Sequence, residues 1–263
     1  MAATTEHDPR PMLNKVPEVF LVFWILKILA TTVGETAADV LSTTFGLGTV
    51  NTSYVMGVLL LISIFFQFRA RRYEPPIYWL VVVFISVVGT LISDNLVDNL
   101  GVSLVTTTII FTIALIAVFV IWYATEKTLS VHTIYTFGRE FYYWLAILFT
   151  FSLGTSGGDL LSERLGLGYA LSGVMFAAAI AVIYGLYRAR VIGEVLAFWL
   201  AYILTRPLGA SIGDLLTQAP NDGGLGLGTI QVSALFLLVI LALVVKLTRD
   251  EKRRLATTGT PGH

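Results

Sequence analysis

Hydrophobic residues in this chain come in long unbroken runs, neither alternating as in a half-buried strand nor confined to one stripe of a surface helix. Eight such runs recur, at roughly 17–42, 48–68, 77–98, 102–123, 141–162, 168–187, 194–217 and 228–247. Each is long enough to cross a hydrocarbon core of about 30 Å. The punctuation falls between them. Pro75 and Pro76 precede the third run, and proline fits the first turn of a helix because its missing N–H has no partner there anyway. The pairs Gly46/Gly48, Gly166/Gly168 and Gly226/Gly228, with Gly101 in the corresponding place, stand where a tight reversal needs positive φ. The pattern predicts an all-α integral membrane fold of eight transmembrane helices.

Composition agrees. The 263 residues are 56% hydrophobic and 13% charged, against about a quarter charged in soluble domains. The lipid bilayer is therefore the expected partner, and no nucleic-acid partner is expected. Residues 1–16, MAATTEHDPRPMLNKV, lack an apolar stretch before a cleavage site and read as a disordered tail, not a signal peptide. There are no cysteines, which removes disulfides, thiolate metal sites and thiol chemistry.

Positive charge sets the expected topology. Of 17 Lys and Arg, all but Lys27, Arg164 and Arg206 fall in the two tails, in the connections 69–76, 124–140 and 188–193, or, as Lys246 does, at the end of the eighth run beside the C-terminal tail. Lysine and arginine stay on the cytoplasmic side, so both termini are expected inside a plasma (inner) membrane. The remaining connections, with Arg164, are expected outside. Lys27 and Arg206 lie within helices.

The runs are also repeats. Trp24, Trp79, Trp144 and Trp199 each stand ten residues before a glycine (Gly34, Gly89, Gly154, Gly209) and fifteen before an aspartate (Asp39, Asp94, Asp159, Asp214). Successive glycines are 55, 65 and 55 residues apart. The chain thus divides into a tail (1–16), a first membrane half (17–123), a cytoplasmic linker (124–140), a second half (141–248) and a tail (249–263). Each repeat crosses the membrane twice, so four parallel two-helix repeats with a pseudo-symmetry axis along the membrane normal are expected. Four residues after each glycine comes Ala38, Ser93, Gly158 or Gly213. Small residues at that spacing let helices approach closely in lipid, which predicts an inner bundle of the four first helices. The tryptophans suit either an interfacial belt or packing within that bundle.

The segments KILATTVGETAAD (27–39), FISVVGTLISD (84–94), FTFSLGTSGGD (149–159) and ILTRPLGASIGD (203–214), with their upstream tryptophans, resemble a bacterial family of integral membrane proteins built from four tandem two-helix repeats. The resemblance covers nearly the whole chain outside the tails. It implies architecture and carries no activity. The fourth repeat departs by inserting APNDG before Gly226, which predicts one longer connection.

The candidate chemistry is acidic. A carboxylate near a helix C-terminus opposes the helix dipole, so four equivalent aspartates need a cation, a basic side chain or protons. Glu35, Asp98 and Glu163 each lie four residues from a repeat aspartate, and such pairs share a helix face and repel. With the hydroxyls of Thr36, Ser93, Thr155, Ser156 and Ser211 nearby, this is hard oxygen chemistry, suited to Mg²⁺, Mn²⁺, Ca²⁺ or protons. The candidate ion-binding set is Asp39, Asp94, Asp159, Asp214, Glu35, Asp98, Glu163, Lys27 and Arg206, with the four repeat aspartates as candidate divalent-cation ligands. No catalytic residue is expected, and neither His132 in the linker nor His7 and His263 in the tails supports a zinc site.

A basic side chain near a helix centre costs about 2.5–3.5 kcal/mol. Lys27 and Arg206 are each therefore expected to have an acidic partner or to snorkel, with Glu35, two turns along, the local candidate for Lys27. Arg206, followed by the kinking Pro207, is a candidate for an anion or substrate site. Three functions stay open: a small-cation transporter, a scaffold without transport, and an enzyme acting on lipid. The last is weakest, because there is no HExxH, no serine elbow and no strand before the glycines of 224–228.

Overall fold

A computed structural model describes residues 14–258, the side chains through Arg254. Eight long helices follow one another: α1 (Leu21–Asp39), α2 (Gly48–Arg69), α3 (Pro75–Asp94), α4 (Leu104–Glu126), α5 (Phe137–Asp159), α6 (Gly168–Arg188), α7 (Glu194–Thr217) and α8 (Thr229–Thr258). All eight are long and apolar enough to cross a membrane.

The ends differ from expectation for local reasons. α1 starts at Leu21 because Phe20 is extended. α5 starts earlier than expected because the Thr136 hydroxyl accepts from the Arg139 amide, 3.3 Å away, and caps the helix there. α8 runs eleven residues beyond Leu247 through TRDEKRR, whose residues are mostly good helix formers. The linker is not a free tether. Asn14 Nδ2 donates to the Val131 carbonyl at 3.0 Å, the Ile134 amide donates to Asn14 Oδ1 at 3.2 Å, and Lys15 Nζ meets Glu140 Oε2 at 2.6 Å. Residues 14–16, expected within the disordered tail, are thereby docked. Residues 1–13 and 259–263 lie outside the described residues.

α1, α3 and α5 do not end at their repeat aspartates. Each continues through a wide π turn: Val40–Thr44, Asn95–Asn99 and Leu160–Arg164. The aspartates therefore stand one turn before the helix ends, which weakens the expected opposition from the helix dipole. α7 ends without a π turn, and a 3₁₀ turn at Pro220–Asp222 follows. The same closing bond is nevertheless kept. The Leu227 amide donates to the Leu216 carbonyl at 2.9 Å, as Leu47 does to Leu41, Val102 to Leu96 and Leu167 to Leu161. The APNDG insertion loops out of an otherwise repeated connection.

The first helices of the repeats form the interior: α1, α3, α5 and α7 pack in a closed ring, each against two others. The most apolar window of each inner helix is 56–61% buried, whereas the outer helices reach only 11–22%. Each outer helix packs chiefly on the inner helix of the next repeat. α2 lies on α3, α4 on α5, α6 on α7, and α8 returns to α1. The ring closes from the last repeat to the first, and Ser233 Oγ on α8 bonds Thr36 Oγ1 on α1 at 2.6 Å.

The repeat glycines make this ring possible, and they act in rotation. Gly34 of α1 lies against Ser86 of α3, Gly89 of α3 against Phe151 and Ser152 of α5, Gly154 of α5 against Arg206 and Pro207 of α7, and Gly209 of α7 against Thr31 of α1. Ser86, Phe151, Arg206 and Thr31 are the same position of the four repeats. A Cβ at Gly89 would stand 2.6 Å from Phe151 Cβ, and one at Gly209 2.6 Å from Thr31 Cβ. Neither neighbour is the loose end of a side chain.

We expect Gly89→Ala and Gly209→Ala each to lower the thermal midpoint of the purified protein, overpacking of this kind costing about 1–3 kcal/mol. Gly57→Ala on α2, where nothing lies within 4 Å, should leave the midpoint unchanged or raise it. Equal melting curves for all three variants would refute the rotary glycine contact.

Candidate functional site

The repeat spacing that relates the aspartates also orders the residues lining the ring. Lys27, Val82, Ile147 and Tyr202 form one layer. Thr31, Ser86, Phe151 and Arg206 form the next, then Glu35, Thr90, Thr155 and Ala210, and finally Asp39, Asp94, Asp159 and Asp214. These layers lie four residues apart, about 6 Å of helix, and the first three are buried throughout. Arginine, lysine and glutamate each occur once, so the charges break the fourfold pattern that the glycines keep.

Arg206 is the centre of the arrangement. Its guanidinium is fully buried, and Nη2 donates to Glu35 Oε2 at 2.6 Å and Thr155 Oγ1 at 2.7 Å, and also to Thr90 Oγ1. One side chain of α7 thus reaches the corresponding position of each of the other three inner helices. The pair to Glu35 is well shielded, with side-chain exposures of 0% and 11%. Phe151 lies beneath it, its ring centre 5.8 Å from the guanidinium carbon. α7 runs through Pro207 as one helix, and Pro207 packs on Gly154 and Gly158.

The candidate Lys27–Glu35 pair does not form, because Glu35 is taken by Arg206. Lys27, only 1% exposed, points its Nζ at the rings of Phe151 and Tyr202, 4.1 and 4.2 Å from their centres. Its hydrogen bond goes to Thr31 Oγ1 at 3.5 Å. Contact with an aromatic face contributes up to about 2 kcal/mol when desolvated. Two rings therefore offset the roughly 2.5–3.5 kcal/mol of a cation at mid-helix, but they offer no hydrogen-bond acceptor.

The repeat aspartates occupy the end of the ring beyond Glu35. Asp94 lies within electrostatic reach of Asp39, Asp159 of Asp94, and Asp214 of both Asp159 and Asp39. Glu35 acts on all four. Asp214 is buried, and the other three are partly exposed. Asp98 and Glu163 are exposed beyond them, near enough to act on each other. The carboxylates stand around the ring without closing on a point: among the described residues, no three His, Cys, Asp or Glu are grouped to hold one metal ion. Three of the five hydroxyls expected beside them have other partners, and Ser93 Oγ is buried with none. Thr155 bonds Arg206, Thr36 bonds Ser233, and Ser156 bonds the Ser152 carbonyl.

At the opposite end the tryptophans pack inward. Trp79, Trp144 and Trp199 are at most 4% exposed, set among Phe23, Tyr78, Tyr143 and Phe198. Tyr78 and Tyr143 share a 2.5 Å hydrogen bond. Trp199 Nε1 donates to the Leu129 carbonyl at 3.0 Å. A cavity of about 560 Å³ opens beside this end, between α1, α6, α7 and the linker. His132 and Glu194, bonded at 2.9 Å, stand on its lining, and none of the repeat aspartates does.

Removing one member of a buried ion pair costs about 3–5 kcal/mol, because the other charge is left unpaired. We expect Arg206→Met and Glu35→Gln each to lower the unfolding free energy by that order, and the double variant to lose clearly less than the sum. Additive losses in a thermal or denaturant double-mutant cycle would show that the two side chains do not act as a unit.

Residues 22–73, 77–128, 142–191 and 197–253 each match the Repeat of Unknown Function (DUF347), and every match covers most of one inner and one outer helix. No curated protein and no solved structure matches the chain significantly. With four copies covering most of its length, the chain belongs to the DUF347 repeat family and has the helix content of a multi-pass membrane protein.

Proposed function

We propose that this protein moves small cations across its membrane in exchange for protons, with the aspartate end as the outer vestibule. Lys and Arg concentrated at the tryptophan end support termini inside and aspartates outside. The four repeats would then stand in one orientation about an axis along the membrane normal. The observation that carries the reading is the ring of four mutually interacting carboxylates above one buried Arg206–Glu35 pair. Ionisable side chains within spans usually face one another or a pathway.

In this reading the aspartates attract the cation without enclosing it. Conduction needs binding weak enough to release. Arg206 is a resident cation on Glu35, so an arriving ion or proton competes with the guanidinium for that carboxylate. A carboxylate that gives up its cation takes a proton, and the two halves of the chain shift about the ring. The cation is cargo, one of the hard ions that oxygen ligands prefer.

One observation favours a second reading, a scaffold without transport. Thr90, Phe151, Thr155, Tyr202 and Arg206 are at most 1% exposed, so the centre of the ring is packed shut. The same experiment separates the two. The full chain is reconstituted in liposomes, and uptake of Mn²⁺, Mg²⁺, Ca²⁺ or Na⁺ is followed alongside lumenal pH. Each of Asp39→Asn, Asp94→Asn, Asp159→Asn and Asp214→Asn should slow uptake about tenfold or more, as for loss of a charged hydrogen-bonding group. If wild type moves neither cations nor protons, or if all four variants match it, the transport reading fails and the scaffold reading stands.

A further inference from the structure

One repeat tryptophan departs from the other three. Trp79, Trp144 and Trp199 are at most 4% exposed, whereas Trp24 is only partly buried, because the cavity of about 560 Å³ lies against it. Trp79 and Trp199 are covered by Tyr73 and Leu129, whose oxygens accept from their Nε1 atoms at 3.0 Å. Trp24 makes no such bond among the described residues. The space forms where the ring closes from α7 to α1, with α6 and the linker completing its lining. Its volume falls in the range of about 300–1,000 Å³ usual for small-molecule sites.

The lining is aromatic and carries an acid. Trp24 and Phe198 form a corner, their ring centres 5.7 Å apart, and Tyr184 and Tyr187 of α6 line the space as well. Glu194, exposed at the start of α7, is the acidic residue among the lining residues described. His132 bonds its Oε1 at 2.9 Å and leaves Oε2 without a hydrogen bond among the described residues. Most of the chain's Lys and Arg belong to this end of the molecule, yet none of those described lines the cavity. Arg188 and Arg190, just before Glu194 in sequence, stay off the lining.

From this we infer that the cavity binds a lipophilic organic monocation, of the quaternary ammonium or phosphonium class. The apolar body lies against Trp24 and Phe198, and the charge faces Glu194. The negative faces of aromatic rings attract such cations, and a quaternary centre needs no hydrogen-bond acceptor. An anion would meet a carboxylate and those same faces. A small metal ion would find too few oxygen ligands on apolar walls to replace its water. Glu194 keeps its hydration at the mouth, so holding its charge there costs little before the ligand arrives. The inference does not rest on the proposed transport, since none of the repeat aspartates lines this cavity.

Tetraphenylphosphonium and tetraphenylborate share one shape and carry opposite charges, so together they separate recognition of charge from apolar partitioning. Binding of each to the purified full chain is measured by equilibrium dialysis in a nonionic detergent, with binding to detergent alone subtracted. Tetraphenylphosphonium should bind saturably, and tetraphenylborate should not. Glu194→Gln keeps the size of an exposed side chain and removes its charge, so it should weaken tetraphenylphosphonium binding about tenfold. Trp24→Leu should weaken it several-fold through loss of the ring face. Asp250→Asn removes an exposed acid of α8 that lies off this lining and should change nothing. Equal binding of the two probes, wild-type affinity in Glu194→Gln, or an equal loss in Asp250→Asn would overturn the proposal and leave the cavity to lipid acyl chains. If Trp24→Leu fails to fold, the two probes and Glu194→Gln still decide.

Discussion

The close approach of four helices at their glycines is the constraint from which the rest follows. In lipid no hydrophobic force draws helices together, and van der Waals contact between small residues takes its place. Here each glycine accommodates the neighbouring helix at one repeated position, so contact at one junction sets the height of the next until the ring returns to α1. A ring this narrow has little room along its axis. What occupies that axis must be small, as Thr31, Ser86, Thr90 and Thr155 are, or must find partners on other helices, as Arg206 does.

The result inverts the arrangement of a water-soluble bundle. The outer helices present mostly apolar side chains outward, with Leu61, Ile113, Val174 and Leu238 all more than half exposed. The interior holds the hydroxyls and the charges. A buried arginine at one level and a lysine at another could not persist on a lipid-facing surface, where an unsatisfied polar group costs several kcal/mol. The connections between the helices also contribute. Asn14, Lys15, Gln67 and Glu140 form a bonded cluster at the tryptophan end that ties the start of α1 to α2, the linker and α5.

Much of this was legible in the sequence. Eight apolar runs, their glycine reversals and the fourfold tryptophan–glycine–aspartate spacing give the helices, their repeat and the inner position of the first helix of each pair. Three things were not. The π turns after Asp39, Asp94 and Asp159 have no local signature, because their wide geometry is set by the connection that follows. The partners of Lys27 do not lie along its own helix, where Glu35 is two turns away, because Lys27 is buried in the ring and faces Phe151 of α5 and Tyr202 of α7. The pairing of each outer helix with the next repeat leaves no trace in a hydropathy pattern. The set around Arg206, however, was within reach. Advancing Glu35 by the repeat interval lands on Thr90 and Thr155, the two hydroxyls that share the guanidinium with it. Tyr202, on the layer of Lys27, follows from the same arithmetic.

The return of α8 to α1 has an implication for ancestry. Repeats 1 and 2 end in a helix that lies on α5, and repeats 3 and 4 end in one that lies on α1, so each half lends its final helix to the other. A half-length forerunner would leave the inner helix of its first repeat uncovered, and two copies would complete each other by exchanging those ends as a twofold dimer. Such a dimer would carry every interior residue twice. A solitary Arg206 facing a solitary Glu35 could arise only once duplication and fusion had let the two halves diverge.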